Sequence, residues 1–276
     1  MNYQSTVPVT TAVLEVADAR LYYEVRGQGP LVVLVGAPMD AHPFAPLADL
    51  LAVDHTVVTT DPRGINRSSV GDREKDSTPQ QRAEDLSALI AQLDAGPAAV
   101  LGSSGGAVSV LALVQAHPEQ VHVGIAHEPP LNELLPDREA LWSQTEEMIA
   151  TYLAGDRRVA WQQFLKMANI FMPDQMFEAM FGGDPGPQAR ADEHFQFARM
   201  LRETTRFRPD FAALRSASNQ VIVGIGEESG GQLCDRTSQA LAEEIGIEPT
   251  LFPGGHIGFA EDPAGFNARL REVVRS

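Results

Sequence analysis

Cysteine, positive charge and long apolar runs are all scarce in this sequence. The single cysteine, Cys234, can form neither an internal disulfide nor a thiolate metal cluster. Lysine and arginine together number 21 against 37 aspartates and glutamates, which gives a formal net charge of −16. A field of that sign repels phosphate backbones and anionic membrane surfaces, so we expect neither nucleic acid nor a membrane as a partner. A run of about eighteen apolar residues, the minimum for a membrane span, is also missing.

The first residues show no secretory signal. Residues 1–6 contain no basic stretch followed by an apolar core. Together with the single cysteine, this predicts a reducing, cytoplasmic location. The length of 276 residues, with 43% hydrophobic and 21% charged residues, is typical of one large globular domain with room for an insertion.

Eight short apolar segments are predicted to form strands. Residues 31–35 are apolar at every position, which indicates a strand buried on both faces of a parallel sheet. Strands that alternate with helix-length segments imply right-handed crossovers, so we predict an α/β fold with a mostly parallel, eight-stranded sheet flanked by helices. The predicted strands are residues 13–16, 21–25, 31–35, 56–60, 98–101, 121–126, 221–225 and 250–252. The predicted helices outside the insertion are residues 44–51, 78–93, 105–117, 236–245 and 263–274.

This alternation stops between residues 129 and 217. The segment has a helical pattern and holds both tryptophans and many of the methionines and phenylalanines. We interpret it as an inserted helical cap, which leaves residues 1–128 and 218–276 as the core domain. Soft, bulky side chains can form an adaptable apolar pocket, although packing between cap helices is the simpler explanation for most of them.

A candidate nucleophile lies in the pentapeptide at residues 102–106, which matches G-x-S-x-G with Ser104 at its centre. The pentapeptide follows a predicted strand and opens a predicted helix, which is the setting of a nucleophile elbow. So sharp a turn exposes the serine hydroxyl and needs glycines on both sides. The predicted oxyanion donors are the amide of Gly105, at the helix start, and that of Ala37, in the turn after residues 31–35. The alternative is an ordinary glycine-rich turn with an incidental serine.

A serine nucleophile needs a base, and the base needs an acid that orients it. His256 is the predicted base, because it lies in a glycine loop after the last strand, where active-site residues of parallel sheets collect. Glu128 and Glu228 each directly follow a predicted strand, and either carboxylate could hold the imidazole. Two prolines stiffen the backbone after Glu128 and slightly favour it, but both acids remain open. His42 and His127, which also follow predicted strands, are possible substrate contacts.

Together these segments resemble the α/β-hydrolase fold family over nearly the whole chain. The motifs that carry the resemblance are residues 36–38, 61–68, 102–106 and 255–256. In that family the turn after the third strand and the residue after the serine form the oxyanion hole, which implies this role for Ala37 and Gly105. The family's Asp-x-Arg-Gly segment is structural, and the resemblance implies the same for Asp61 and Arg63.

The chain departs from the family pattern at two positions. Val35 stands where most members have a histidine, and the usual aspartate position, close to Ser229, holds no aspartate. Some members take the acid from after the preceding strand, which is the position of Glu128. Members that hydrolyse epoxides or haloalkanes use an aspartate nucleophile, so Ser104 disfavours both activities.

We therefore expect a serine hydrolase that cleaves a small, hydrophobic carboxylic ester, lactone or thioester through an acyl-enzyme. We expect a small-molecule substrate, and neither a cofactor nor a metal ion, since the sequence has no phosphate-binding loop and no dinucleotide fingerprint. Two alternatives remain. The same residues could hydrolyse a carbon–carbon bond or carry out cofactor-free perhydrolysis, or the fold could serve a non-catalytic small-molecule-binding protein. The sequence does not predict the oligomeric state.

Overall fold

The centre of the molecule is a twisted, mostly parallel β-sheet. The structure, a computed structural model, describes residues 4–217 and 220–275. Within these residues the sheet has nine strands, in the order β1-β2-β4-β3-β6-β7-β8-β9, with β5 beside β2. The strands are β1 (Val9–Val16), β2 (Ala19–Arg26), β3 (Leu31–Val35), β4 (Thr56–Thr60), β5 (Ser69–Val70), β6 (Ala98–Ser103), β7 (Val121–His127), β8 (Val221–Gly226) and β9 (Thr250–Phe252).

The strand directions confirm the predicted α/β class. The pairs that involve β2, with β1, β4 and β5, are antiparallel, and all pairs from β4 through β9 are parallel. All eight predicted strands are present, and β5 is an addition. It pairs through Ala19 with Val70 and Arg20 with Ser69 only, and two residues are too few to show a periodic pattern.

Strand β3 explains how one sheet supports two cores. Leu31, Val33 and Val35 belong to the apolar cluster on one face. The alternate side chains, Val32 and Leu34, belong to the cluster on the other face. Because side chains alternate along a strand, a segment that is apolar throughout must be covered on both sides.

Helices cover both faces of the sheet. Among the described residues they are α1 (Ala45–Leu51), α2 (Pro79–Leu93), α3 (Gly105–Ala116), α4 (Arg138–Leu153), α5 (Arg157–Ala168), α6 (Asp174–Phe181), α7 (Pro187–Phe195), α8 (Leu201–Thr205), α9 (Phe211–Ser216), α10 (Leu233–Ile245), α11 (Gly258–Glu261) and α12 (Pro263–Arg275). The capping box expected at the start of α2 forms, because Thr78 Oγ1 accepts from the Gln81 N–H and the Gln81 side chain accepts from the Thr78 N–H. None of the described helices is long and apolar enough to span a bilayer.

Helices α4 to α9 form a layer between β7 and β8, where the sequence predicts a cap. Their own apolar cluster includes Tyr152, Trp161 and Phe197, whose rings stack or meet edge to face. Most of the cap's bulky side chains therefore pack the cap itself. The division into a cap at 129–217 and a core at 1–128 and 218–276 stays a prediction. The two ends of the predicted core and the start of its second segment lie outside the described residues, which leave out 1–3, 218–219 and 276.

A buried arginine connects this cap to the core. Arg82 of α2 donates from Nε to Ser109 Oγ of α3 (2.9 Å) and from Nη2 to Thr204 Oγ1 of α8 (2.9 Å). Its Nη1 donates to the Ser77 carbonyl oxygen (2.6 Å). One guanidinium therefore holds the helix that follows Ser104 and a cap helix in fixed relation.

The loop after β4 is held by two further arginines. Arg63 makes a bidentate contact with Asp85, with both distances 2.7 Å. Arg67 makes a similar contact with the buried Asp61 (2.7 and 2.8 Å), whose Oδ1 also accepts from the Ala41 N–H (2.9 Å). Bidentate Arg–carboxylate pairs fix orientation as well as distance. Asp61 and Arg63 are thus engaged within the fold, in agreement with the structural role implied by the resemblance.

Candidate active site

Ser104 occupies a strained position between β6 and α3. Its backbone adopts φ 56° and ψ −124°, outside the regions that ordinary residues favour. Its N–H donates to the His127 carbonyl oxygen (2.9 Å), and its own carbonyl oxygen accepts from the Ala107 N–H (2.9 Å). Such a conformation costs about 1–3 kcal/mol and persists only where the surroundings impose it.

Close backbone packing explains the glycines around Ser104. A Cβ atom on Gly102 would lie 2.4 Å from the Gly106 carbonyl oxygen. One on Gly105 would lie 2.2 Å from the Ala37 carbonyl oxygen, and one on Gly106 would lie 2.3 Å from that of Val35. No side chain fits at these distances, so the three glycines are steric requirements of the turn.

The two predicted oxyanion donors lie side by side. Gly105 is the first residue of α3, and the Ala37 carbonyl oxygen packs against its Cα. Among the described residues, neither amide N–H has a hydrogen-bond acceptor. The first N–H groups of a helix lack partners within it and carry a partial positive charge. Both amides are thus available to a developing negative charge.

The partly exposed His256 and the buried Glu128 form a pair at the carboxyl ends of the strands. His256 Nδ1 lies 2.5 Å from Glu128 Oε2. The other carboxylate oxygen, Oε1, accepts from the Gly226 N–H (2.8 Å) at the end of β8. Glu128 is fully buried and has a positive φ of 55°, which turns its side chain away from the course of β7. The carboxylate is therefore held from two sides and orients the imidazole.

The negative charge of Glu128 and the positive charge of a protonated His256 stabilise each other. Burial alone would raise the pKa of Glu128, but the hydrogen bond and charge of His256 outweigh burial and lower the pKa. Burial alone would lower the pKa of His256, but the neighbouring Cys234 and the Glu128 carboxylate raise it above its usual value of 6.5. The pair thus favours an ionised Glu128 and strengthens the imidazole as a base.

Glu228 is placed differently. It is exposed, and its backbone N–H donates to the Gly254 carbonyl oxygen (2.9 Å). The next residue, Ser229, is fully buried, and its hydroxyl helps to lower the pKa of Glu128. The structure thus joins His256 to Glu128 and leaves Glu228 at the surface. A catalytic role for the pair belongs to the proposal below.

Ser104 and His256 face one cavity of about 100 Å³ between the cap and the core. No hydrogen bond joins the two side chains among those of the described residues. The other walls are mostly apolar and come from both layers, and they include Ala37, Pro130, Phe164, Met167, Met200 and Leu233. A larger open groove of about 760 Å³ lies within the cap but contains neither Ser104 nor His256. The smaller cavity is therefore the candidate site.

Cys234, in the first turn of α10, also lies at this cavity. Its sulfur, a nitrogen of His256 and an oxygen of Glu128 all lie within 4.8 Å of one another. These are the three side chains among the described residues that could hold a metal ion. The histidine and the glutamate already bind each other, and the expected absence of a metal ion stays a prediction. Sequence reasoning missed Cys234 at the site because α10 begins three residues earlier than predicted.

Neither His42 nor His127 lines the cavity, against their interpretation as possible substrate contacts. His127 lies in the interior of the protein instead. Its ring is fully buried and packs edge to face with Phe252 and Phe266. Neither ring nitrogen has a hydrogen-bond partner among the described residues. Burial, the largest influence, lowers the pKa of His127 to about 4. The side chain is a neutral part of the core behind the active site.

This buried histidine makes the folded state sensitive to acid. The pKa of His127 is about 4 when folded and about 6.5 when unfolded. Its contribution to stability is therefore complete above pH 6.5 and is lost as the pH falls from 6.5 towards 4, because the unfolded chain binds the proton more tightly. The full loss is about 3 kcal/mol. We expect His127→Leu to lose less stability than the wild type between about pH 7 and pH 5 in urea unfolding.

The exposed His122 on the same strand supplies the matched control. His122→Gln should follow the wild-type pH dependence. His256 has a raised pKa and acts in the opposite direction, so the difference between wild type and His127→Leu isolates the buried ring. If wild type and His127→Leu lost the same free energy of unfolding as the pH falls, the acid sensitivity could not be assigned to His127.

Residues 31–269 match the model of the Alpha/beta hydrolase family, and the chain belongs to that family. The chain is also 31% identical, over 267 residues and 96% of each chain, to the uncharacterized hydrolase YraK of Bacillus subtilis (strain 168). The predicted fold class is thereby confirmed, and enzymatic hydrolysis is supported.

The chain is also similar to two proteins whose names give an activity. The chain is 26% identical over 269 residues to zearalenone hydrolase of Bionectria ochroleuca, covering 92% of this chain and 93% of the relative. A solved structure of a candidate epoxide hydrolase from Pseudomonas aeruginosa superposes with a TM-score of 0.70 and 21% identity, covering 99% of this chain and 97% of that one. At that identity the structural likeness shows the shared fold alone.

Proposed function

We propose that the protein is a serine hydrolase that cleaves a small, hydrophobic carboxylic ester, lactone or thioester through an acyl-enzyme. The observation that carries the proposal is the strained Ser104, which shares one cavity with two unpaired amides and a carboxylate-bound imidazole. Nucleophile, base, orienting acid and oxyanion donors are the parts that acyl transfer needs.

In the first half of the reaction, Ser104 Oγ attacks the substrate carbonyl carbon while Nε2 of His256 takes the hydroxyl proton. The carbonyl oxygen becomes negative and receives hydrogen bonds from the amides of Ala37 and Gly105. The intermediate then expels the alcohol or thiol, which leaves with the proton from His256. For a lactone, this leaving group stays attached to the acyl chain.

In the second half, His256 removes a proton from water, and the resulting hydroxide attacks the acyl carbonyl. The carboxylic acid leaves, and Ser104 regains its proton. Glu128 stays ionised throughout. It keeps the proton of the resting imidazole on Nδ1 and stabilises the imidazolium that forms in each half.

The cavity supports the small and apolar substrate in this proposal. Its walls include methionine, phenylalanine, leucine, isoleucine, alanine and proline residues, and such sites bind apolar groups while a few polar atoms fix their orientation. Zearalenone, which appears in the name of one relative, belongs among the compounds to be tested. Epoxide hydrolysis is not proposed, because Ser104 stands where that chemistry uses an aspartate. The cytoplasmic location stays a prediction.

The acyl-enzyme provides the direct test. We expect p-nitrophenyl butyrate to give a burst of p-nitrophenol equal to the enzyme concentration, if deacylation is the slower step, and a fluorophosphonate to label Ser104 and block turnover. Mass spectrometry of the peptide that contains Ser104 identifies the labelled residue. Turnover without any labelled serine would overturn the serine mechanism, and the absence of both turnover and label would favour the binding-protein alternative.

Cys234 offers a test of the base, because its sulfur lies within 4.8 Å of a His256 nitrogen and the negative charge of a thiolate there raises the pKa of His256. The base must be neutral, so activity should rise with pH through the pKa of His256. In Cys234→Ala that rise should move to lower pH, while the alkaline plateau of kcat/KM stays within about ten-fold of wild type. The measurement is the pH profile of kcat/KM for p-nitrophenyl butyrate. A Cys234→Ala variant that can no longer be acylated would instead identify the thiol as the nucleophile.

A further inference from the structure

An irregular turn of the cap brings the amide side chain of Gln196 to the cavity, whose other polar side chains are those of Ser104, Thr204, Thr205, Gln232, Cys234 and His256. Residues Gln196–Met200 form a π-helical segment between α7 and α8, in which the Leu201 N–H donates to the Gln196 carbonyl oxygen, five residues back. Such wide turns are rare and occur frequently at functional sites. They shift the direction in which the following and preceding side chains point.

Buried aromatic rings fix this segment on both sides of Gln196. Phe195 belongs to an apolar cluster with Ala37, and its ring packs so closely on Gly64 that a Cβ there would lie 2.4 Å from Cε1. Phe197 points the other way and stacks on Tyr152 inside the cap. Gln196 is held between these anchors, and its side chain lines the cavity that contains Ser104.

The side-chain amide of Gln196 has no hydrogen-bond partner among the described residues. The residue is 9% exposed, and its side chain makes no hydrogen bond to another described residue. Buried polar groups are normally hydrogen-bonded, so one that faces a ligand cavity without a partner is a candidate ligand contact. The cavity's two threonines differ in this respect, because Thr204 and Thr205 donate to carbonyl oxygens of their own helix, Met200 (2.8 Å) and Leu201 (3.0 Å).

The charge of the cavity restricts what this amide can bind. Among the described residues that line it, His256 is the one ionisable nitrogen base, and neither a carboxylate nor a lysine or arginine is present. The His256 imidazole is already paired with Glu128. An ionised substrate group would therefore lose its hydration without gaining an unpaired charged partner, which is costly. A neutral oxygen, by contrast, can accept from the amide N–H of Gln196.

We propose that Gln196 is a specificity-determining residue that hydrogen-bonds a neutral oxygen of the substrate away from the scissile bond. The inference rests on the proposed function and narrows its substrate class. The preferred substrate is an uncharged, apolar ester or lactone with a second oxygen group, such as a ketone. A purely aliphatic ester leaves the amide without a partner and reacts less well, because sites built to hydrogen-bond reject analogues that lack the bonding group.

Two esters of equal size test this assignment. p-Nitrophenyl 4-oxopentanoate and p-nitrophenyl 4-methylpentanoate share a leaving group and differ in a ketone oxygen against a methyl group. The measured quantity is the ratio of kcat/KM for the oxo ester to that for the methyl ester, corrected for the hydroxide rates of the two esters. We expect Gln196→Met to lower this ratio about ten-fold or more. Gln196→Leu, which has no donor, should lower it as well and serves if the methionine variant fails to fold.

Gln239→Met is the matched control, because Gln239 is exposed on α10 and does not line the cavity. It should keep the wild-type ratio. Turnover of both esters with the same ratio in wild type and in the folded Gln196 variants would overturn the role of Gln196 and leave the serine mechanism intact. The absence of turnover of either ester in the wild type, with no burst and no labelled serine, would overturn both proposals.

Discussion

Replacing Ser104 by alanine is expected to lower kcat by about 10⁴-fold or more and to abolish both the burst and the fluorophosphonate label. The hydroxyl supplies the bond to the acyl group, and no other described side chain occupies the elbow. Alanine fits the same backbone, so the melting temperature should change little. Single-turnover kinetics with p-nitrophenyl butyrate and intact-mass analysis measure the effect.

Ser103, the residue before Ser104, provides the control for Ser104→Ala. Ser103 ends β6, is fully buried and has a hydroxyl without a hydrogen-bond partner among the described residues. Ser103→Ala should therefore keep the burst, the label and kcat/KM within about two-fold. A burst that persists in Ser104→Ala would place the nucleophile elsewhere.

Replacing Glu128 by glutamine is the second large expected effect. We expect kcat to fall by about 10²–10⁴-fold with little change in KM, because the neutral amide no longer stabilises the imidazolium and no longer secures the Nδ1–H tautomer. The fluorophosphonate should label the variant more slowly for the same reason. Steady-state kinetics and labelling rates, with circular dichroism to confirm folding, provide the measurement.

Two variants make this result specific to Glu128. Glu228→Gln removes an exposed carboxylate and should behave as wild type; a large loss there, with full activity in Glu128→Gln, would reverse the assignment. Ser229 is fully buried, and its hydroxyl contributes to the lowered pKa of Glu128. The double variant Glu128→Gln/Ser229→Asp supplies a carboxylate from that neighbouring position and should regain about ten-fold or more of the lost kcat.

Much of the fold could be predicted because its signals are local. The apolar residues 31–35 predict a strand covered on both faces, and the start of α2 is predicted by Thr78, Pro79 and Gln81. Both features are present. Strand β5 could not be predicted, because its two residues are set by their pairing with β2 and not by their own pattern. The π-helical segment at Gln196–Met200 depends on packing between distant residues and left no local signal.

The sequence left open whether Glu128 or Glu228 orients His256, because the answer depends on the register between strands. Ser103 pairs with His127 across β6 and β7, so the residues that follow them, Ser104 and Glu128, leave the sheet side by side. Gly224 of β8 pairs with His127, which places Glu228 four residues beyond that level and out at the surface. A sequence shows which residues follow strands but does not show how far each strand extends past its neighbour.

The guanidinium of Arg82 has a consequence for protein engineering. Because it binds Ser109 behind the elbow and Thr204 in the α4–α9 layer, the two layers are not interchangeable parts. A chimera that imports a lid from another enzyme would leave the buried Arg82 cation without one of its partners. By removing Phe195 it would also expose Ala37 and Ile65, which pack in the same apolar cluster. Grafts that aim at new substrates should therefore join the foreign sequence upstream of Phe195 and retain the native residues from there through Thr204.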